Sequence, residues 1–293
     1  MPGQTTVSGL PSFIIGAAPK CATTSIANAL RLHPDVFIPD RKELVFFNSA
    51  DYQRGLDWYA NYFTAALPGA AIGEATPSYF SDKISVSRLS ESLPDAKLIA
   101  VLRNPVERAQ SHYWARRRFD KEPRSLLEVV RHEQALDDPW SRESYLLRHS
   151  RYGMIFENLV AHFPRDQILL LFVDDLRQRP AAELARLQEF IGVTPEIDEL
   201  PEDNVASTVR SGGLQRLMNF IETNQSFAKR IGRRLVSKEL RRRIRWKLYD
   251  LNKVPTKKAS LQADELALLR ESLRPDLEQF AAMVDAVPVS WSS

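Results

Sequence analysis

A lysine and three hydroxyl side chains lie together near the start of the chain, between an apolar run and a predicted helix. The run Phe13–Ala17 predicts a buried strand, and Lys20 follows in the loop after it. Thr23, Thr24 and Ser25 then open the helix. The first N–H groups of a helix have no partner within the helix, and the helix dipole makes this end positive. The segment therefore predicts an anion site, and a phosphate is the expected ligand.

The spacing in this segment differs from that of an ATP- or GTP-binding loop. In such a loop the lysine stands directly before the Ser or Thr that holds Mg²⁺. Here Cys21 and Ala22 separate Lys20 from Thr23, and no later strand-end aspartate suggests a magnesium site. A plain strand-to-helix turn would explain Thr23 but would leave Lys20 unexplained. We therefore expect an anion site that works without a metal.

A second segment combines a predicted strand with an arginine and a serine that follow it. The apolar run Lys97–Leu102 predicts the strand, and Pro105 favours a helix start just behind it. Arg103 leaves the strand end, and Ser111 lies about two turns into the helix. In isolation, Arg103 would be a surface ion pair and Ser111 a solvent-facing residue. Beside the first segment they indicate a second phosphate contact, because a guanidinium donates two parallel hydrogen bonds to a phosphate.

Both segments resemble those of sulfotransferases that use 3'-phosphoadenosine 5'-phosphosulfate (PAPS). The run from Pro19 to Ser25 is similar to the family's Lys-x-Gly-Thr-Thr loop, with Ala22 at the usual glycine position. A Cβ there resists positive φ, at a cost on the order of 1 kcal/mol. The run from Arg103 to Ser111 is similar to the family's Arg-x-Pro-x-x-Arg-x-x-Ser segment. The resemblance implies that the first loop holds the 5'-phosphate and that Arg103 and Ser111 contact the 3'-phosphate.

The resemblance also implies the rest of the nucleotide site. Arg210 lies where relatives bring a loop over the nucleotide, and an ordinary linker is the alternative there. The predicted nucleotide-binding residues are Lys20, Cys21, Ala22, Thr23, Thr24, Ser25, Arg103, Ser111 and Arg210. Lys20 is implied to be catalytic as well, because its charge would balance the charge that develops on the departing phosphate. No metal ligand is predicted, since the five histidines show no metal-binding spacing.

A glutamate lies in a third segment, before two phenylalanines. Glu43, with Phe46 and Phe47 behind it, resembles a Lys-Glu run with paired Phe in the heparan-sulfate branch of the family. The resemblance implies that Glu43 is the general base on the acceptor hydroxyl, and burial beside the two rings would strengthen that base. The alternative is that Glu43 pairs with Lys42 or Arg41 on a solvated loop.

A fourth segment departs from the family at one position. The stretch from Glu74 to Tyr79 resembles Glu-Lys-x-Pro-x-Tyr of animal members, but Ala75 stands in place of the lysine. The resemblance implies that the function of this cation is absent here or is supplied by another residue.

The apolar runs predict the fold. They alternate with helical patterns, which is typical of an α/β protein with a parallel sheet: Phe13–Ala17, Ala70–Glu74, Lys97–Leu102 and Ile168–Val173. The resemblance implies one domain, residues 1–293, with a three-layer α/β/α architecture like that of P-loop NTPases. Residues 12–192 form the predicted nucleotide-binding core, and 193–293 a mainly helical C-terminal part. Lys20, Glu74 and Arg103 all follow predicted strand ends, so we expect them around one crevice.

Composition bounds the class of protein. The chain has 293 residues, of which 44% are hydrophobic, and this is enough for one well-buried core. Its single cysteine excludes an internal disulfide, and no apolar run approaches the roughly 20 residues of a membrane span. The N-terminus shows no basic-then-apolar leader, so we expect a cytoplasmic protein.

The net charge of +3 conceals a basic segment, residues 229–258, in which Glu239 and Asp250 are the only acids. Its apolar residues recur at helical spacing, so one interpretation is an ordinary helix with a solvated basic face. The alternative is contact with an anionic acceptor, lipid surface or protein. Nucleic acid is not expected, because no series of stacking aromatics accompanies the charge.

The sequence therefore predicts a sulfotransferase that transfers a sulfuryl group from PAPS to a hydroxyl of a small-molecule, glycan or lipid acceptor. Two rivals remain. A nucleotide kinase of similar topology would need magnesium and ATP, which the spacing of Lys20 disfavours. A non-catalytic module would bind the product nucleotide, 3',5'-bisphosphoadenosine (PAP), and engage an anionic partner. The missing lysine at Ala75 gives this second rival some support.

Overall fold

A five-stranded sheet forms the centre of the protein. The computed structural model describes residues 9–41, 43–118, 121–200, 207–209, 253–255 and 261–291. The strands of the sheet are β1 (Phe13–Ala17), β2 (Val36–Phe37), β3 (Ala71–Ala75), β4 (Lys97–Leu102) and β5 (Ile168–Phe172). They lie in the order β2-β3-β1-β4-β5, and every neighbouring pair is parallel. The predicted α/β fold with a mainly parallel sheet is confirmed.

Helices surround the sheet. They are α1 (Thr23–Leu30), α2 (Leu56–Ala60), α3 (Lys83–Ser92), α4 (Pro105–Arg118), α5 (Leu126–Gln134), α6 (Tyr152–Val160), α7 (Val173–Gln178), α8 (Pro180–Ile191) and α9 (Ala263–Met283). Short 3₁₀ turns cover Ala50–Arg54, Arg148–Ser150, Arg165–Gln167 and Val289–Trp291. Within the described ranges, no helix is both long and apolar enough to span a bilayer.

The sheet brings the ends of β1 and β4 together. All five residues of β1 are buried, as are five of the six in β4, which is why both read as apolar runs. The two strands pair along their length, with Ala17 opposite Val101. From β1 the chain crosses to the β2 and β3 side and then returns to β4 on the other side. This reversal is a switch point, and ligands of such sheets bind beyond the carboxyl ends of the strands there.

Helix α9 packs on the same core although it lies far along the chain. Its Asp276 accepts hydrogen bonds from the N–H groups of Gly153 and Met154 in α6, both at 2.9 Å. A Cβ on Gly153 would lie 2.6 Å from the Asp276 carbonyl, so glycine permits this close approach. The chain divides into two compact units, and α9 belongs to the first, Met1–Asp203 with Leu261–Ser293.

The second unit is Asn204–Ser260. Its described part is an antiparallel pair of strands, β6 (Ser207–Val209) and β7 (Lys253–Pro255). Arg210 lies outside the described residues, and so does the basic segment 229–258 apart from β7. The nucleotide contact of Arg210 and the role of the basic segment therefore stay predictions.

Candidate active site

The loop between β1 and α1 adopts left-handed backbone at two residues. Lys20 has φ of 82° and Ala22 has φ of 59°. Ala22 directly precedes α1, and its carbonyl accepts hydrogen bonds from the N–H groups of Ser25 (3.0 Å) and Ile26 (3.2 Å). Because alanine has no side-chain acceptor, it cannot cap the first-turn N–H groups as Ser or Asp would. A Cβ is thus accommodated at the family's glycine position, and the helix start is suited to an anionic ligand.

The side chains of this loop divide between solvent and core. Lys20 is exposed and Thr24 is half-buried, whereas Thr23 and Ser25 are buried. The ammonium group of Lys20 is therefore accessible to a ligand. Burial limits the contact of Thr23 and Ser25 with such a ligand to their backbone, and the Ser25 N–H already donates to the Ala22 carbonyl.

Cys21 points away from the loop surface. It is fully buried, and its Sγ lies 3.8 Å from the hydroxyl of Tyr152. Burial raises the pKa of the Cys21 thiol. The Tyr152 hydroxyl donates in turn to the carbonyl of Arg103 at 2.8 Å. Cys21 can thus reach a bound anion only through its backbone, while Tyr152 connects the first predicted segment to the second.

Arg103 leaves the end of β4 as predicted, and it forms an ion pair. Its Nε and Nη2 both donate to Oε2 of Glu107, at 3.0 and 2.5 Å. The Arg103 side chain is 11% exposed and that of Glu107 is 50% exposed. An ion pair with an exposed carboxylate is weak, so a phosphate can replace Glu107 as the partner of Arg103. Ser111 lies further along α4 and is half-buried.

Arg108 is a structural residue of the site that the sequence analysis did not single out. It is fully buried, and it donates to Ser150 Oγ and to the Leu146 carbonyl, both at 2.7 Å. It also donates to the Pro19 carbonyl at 3.4 Å and to Nδ1 of His112 at 3.2 Å. It therefore ties α4 to the loop that carries the lysine. The signal was present as the second arginine of the Arg-x-Pro-x-x-Arg segment.

Two histidines beside Arg108 are held neutral. A guanidinium can only donate, so Nδ1 of His112 accepts from Arg108 and the ring proton lies on Nε2. Burial and the Arg108 charge lower the pKa of His112 to about 2. The buried His149 contacts Ser81 Oγ through Nδ1 at 2.5 Å and Arg148 through Nε2 at 3.4 Å. Burial, together with the charge of Arg148, lowers the pKa of His149 well below its ordinary value.

These histidines predict a loss of stability in mild acid. Their folded-state pKa values lie below the unfolded value near 6.5, so only the unfolded chain gains protons as the pH falls. Each should lower the free energy of unfolding by about 1.4 kcal/mol between pH 7.5 and 5.5. Urea unfolding at both pH values measures this, and His112→Gln or His149→Gln should each flatten the profile by about half. Equal stability of the wild type at the two pH values would contradict the prediction.

Glu43 lies at the same edge of the sheet, beside the end of β3. Its N–H donates to the carbonyl of Ala75 at 3.3 Å. The expected burial of Glu43 beside Phe46 and Phe47 is wrong: both rings are fully buried, and Glu43 is exposed. The cause is the backbone, because Glu43 has φ of 57° and turns outward, while Phe46 stacks on Tyr59 with ring centroids 4.4 Å apart.

A cavity of about 290 Å³ lies beside this segment. Its lining residues are Val45, Asn48, Ser49, Ser78, Asp82, Arg142, Arg148 and His149. Arg142 donates to Asp82 at 2.6 Å, so part of the lining charge is balanced. Within the described part of the chain, no group of His, Cys, Asp and Glu side chains could hold a metal ion.

Fold and site together define an α/β protein with a lysine-bearing strand-to-helix loop and a strand-end arginine at the switch point of a parallel sheet. The chain belongs to the sulfotransferase domain family, which it matches over residues 10–248.

Two curated relatives are heparan sulfate enzymes by name. The human bifunctional heparan sulfate N-deacetylase/N-sulfotransferase 2 is 31% identical over 206 residues, which is 66% of this chain and 23% of that protein. The human heparan sulfate glucosamine 3-O-sulfotransferase 3B1 is 34% identical over 189 residues, which is 63% of this chain and 46% of that protein. The chain therefore spans less than half the length of either relative.

A solved structure supports the fold over nearly the whole chain. The sulfotransferase from Alicyclobacillus acidocaldarius has a TM-score of 0.67 and 21% identity, and the match covers 97% of this chain and 99% of that chain.

Proposed function

We propose that this protein transfers a sulfuryl group from PAPS to a hydroxyl of an acceptor. The observation that carries the proposal is the pairing of β1 with β4. It puts the Lys20 loop and Arg103 at adjacent strand ends, where one nucleotide with two phosphate groups could contact both. The anion-binding geometry of the loop and the membership of the sulfotransferase domain family support the same reaction.

The side chains have distinct proposed roles. PAPS supplies the sulfuryl group when it is bound. The 5'-phosphate is held by Lys20 and the segment from Cys21 to Ser25, and the ammonium balances the charge that develops during transfer. Arg103 exchanges its ion pair with Glu107 for a contact with the 3'-phosphate, which Ser111 also binds. A metal is not part of this proposal, because Lys20 and the dipole of α1 can stabilise that charge.

The acceptor side of the proposal rests on Glu43 and the neighbouring cavity. Glu43 accepts the proton of the attacking hydroxyl. The residues around the cavity include an amide, two hydroxyls and the Arg142–Asp82 ion pair, which can hydrogen-bond a hydroxylated acceptor such as a glycan. The heparan sulfate relatives support this class of acceptor. The cytoplasmic location stays a prediction.

Nucleotide preference tests the proposal. PAP should raise the melting temperature far more than AMP or Mg-ATP, because only PAP carries a phosphate for Arg103 and Ser111. Thermal unfolding with each nucleotide at equal concentration measures this. Comparable stabilisation by Mg-ATP would favour the nucleotide kinase. PAP binding without sulfuryl transfer to any of a panel of glycans and hydroxylated metabolites would favour the non-catalytic module.

Arg103→Ala should erase most of the preference for PAP over AMP, which amounts to about 1.5–3 kcal/mol for hydrogen bonds to a charged group. Titration calorimetry with both nucleotides measures the difference. Arg131→Ala is the matched control, because it removes the same charge from an exposed position of α5 that belongs to neither predicted nucleotide segment. An unchanged preference in Arg103→Ala would overturn the assignment of the 3'-phosphate site.

A further inference from the structure

The segment that carries Glu43 has an unusual backbone. Glu43 and Val45 both lie at positive φ, 57° and 52°, with Leu44 between them. None of the three is a glycine, and residues with a Cβ enter this region only when their surroundings hold them there. The direction in which the exposed Glu43 side chain leaves the segment is therefore set by whatever fixes these residues.

The hydrogen bonds that fix the segment come from the end of β3. The Glu43 N–H donates to the Ala75 carbonyl at 3.3 Å, and the Val45 N–H donates to Thr76 Oγ1 at 3.3 Å. Between them, the Leu44 backbone lies close enough to the carboxyl group of Glu74 to oppose the rise in its pKa. Two N–H groups of the segment are thus bound at the strand end, and the third residue lies against Glu74.

Glu74 is the centre of this arrangement. It is 1% exposed, and its Oε2 accepts from the Tyr59 hydroxyl at 2.6 Å. Its Oε1 accepts from the Thr76 hydroxyl, which orients the Thr76 oxygen to receive the Val45 N–H. Burial raises the pKa of Glu74, and the hydrogen bonds from Thr76 and Tyr59 oppose that rise. A buried carboxyl group with this many donors holds its neighbours in one geometry.

We propose that Glu74 is a positioning residue that fixes the backbone from Glu43 to Val45 and so directs the Glu43 carboxylate toward the acceptor. This inference rests on the proposed function, in which Glu43 is the general base. Glu74 holds Val45 through Thr76, so it acts on Glu43 without touching the reacting atoms.

Glu74→Gln tests the proposal, because the amide puts a donor where the carboxylate has only acceptors. The variant should lower kcat about 10- to 100-fold while PAP affinity stays at the wild-type level. In a Glu43→Gln background it should cost nothing further, because a residue that acts through Glu43 has no effect once that base is gone. A multiplicative loss in the double variant would overturn the proposal.

A second readout does not depend on activity. Hydrogen exchange of the peptide 43–47 should be faster in Glu74→Gln than in the wild type. The matched control is Glu183→Gln on α8, a buried glutamate that binds Arg179 and Arg186 and is remote in sequence from this segment. It should leave that exchange and kcat unchanged. Unaltered exchange in Glu74→Gln would refute the tether even if turnover fell.

Thr76→Val carries the same test if Glu74→Gln does not fold. It keeps the shape of the side chain but removes the acceptor of the Val45 N–H and the donor to Glu74. Faster exchange at 43–47 with lowered kcat would support the positioning role, and wild-type values of both would overturn it. Faster exchange in a protein with no sulfuryl transfer to any acceptor would leave the tether standing and reject the proposed function.

Discussion

Replacing Lys20 with alanine should lower kcat about 10²–10³-fold, the usual cost of removing one group that stabilises transition-state charge. Lys20 is exposed at the end of β1, beside the start of α1, and no side chain cap competes there. Its ammonium interacts more strongly with the charge of the departing phosphate than with the ground state. Steady-state kinetics with saturating PAPS and acceptor measures the effect, and PAP affinity should fall by a smaller factor.

Lys20→Met and Lys20→Arg separate charge from shape. Methionine keeps much of the aliphatic stem and should behave like alanine, whereas arginine keeps the charge and should recover part of the rate. Alanine, methionine and arginine all have a Cβ, as lysine does. The φ of 82° at this position therefore gives none of the three variants a special backbone penalty. Exposed Lys83 at the start of α3 supplies the control, since Lys83→Ala should leave kcat unchanged. A Lys20→Ala enzyme with wild-type kcat would remove Lys20 from the catalytic step.

The central strands could be predicted because burial on both faces makes them continuous apolar runs. Phe13–Ala17 and Lys97–Leu102 were predicted with the bounds that the structure gives. Val36–Phe37 was missed, since two residues form no periodic pattern. Positive φ at Ala22 could be anticipated because the related loop uses glycine there.

The backbone at Glu43 and the burial of Arg108 could not be predicted in the same way. Nothing in Glu-Leu-Val indicates left-handed backbone, because it is imposed by hydrogen bonds that the segment donates to Ala75 and Thr76, more than 30 positions along the chain. Arg108 was visible in the motif, but charged residues are rarely fully buried, so the motif alone gave no reason to expect its burial. Its partners at Leu146 and Ser150 become neighbours only in the folded protein. Local pattern thus indicated which residues meet, and tertiary contacts decided how each is held.

Replacing Glu43 with glutamine should lower kcat by roughly 10²–10⁴-fold, as expected when a general base is removed. Glutamine has the same length and can occupy the same left-handed backbone, so the change removes proton acceptance and one negative charge and little else. PAP affinity should stay unchanged, because Glu43 is assigned to the acceptor and not to the nucleotide. Asp40→Asn on the same exposed loop is the matched control for the loss of one negative charge, and it should keep the wild-type rate.

The acidity of the acceptor distinguishes a base from a mere binding contact. An alcohol needs help in losing its proton as it attacks, whereas an acidic phenol loses it with little help. The ratio of wild-type to Glu43→Gln rates should therefore shrink across a series of acceptors of falling hydroxyl pKa. A binding contact would instead raise KM by a similar factor for every acceptor and leave kcat alone. A constant ratio across the series, or a wild-type rate in Glu43→Gln with the physiological acceptor, would show that the proton leaves by another route.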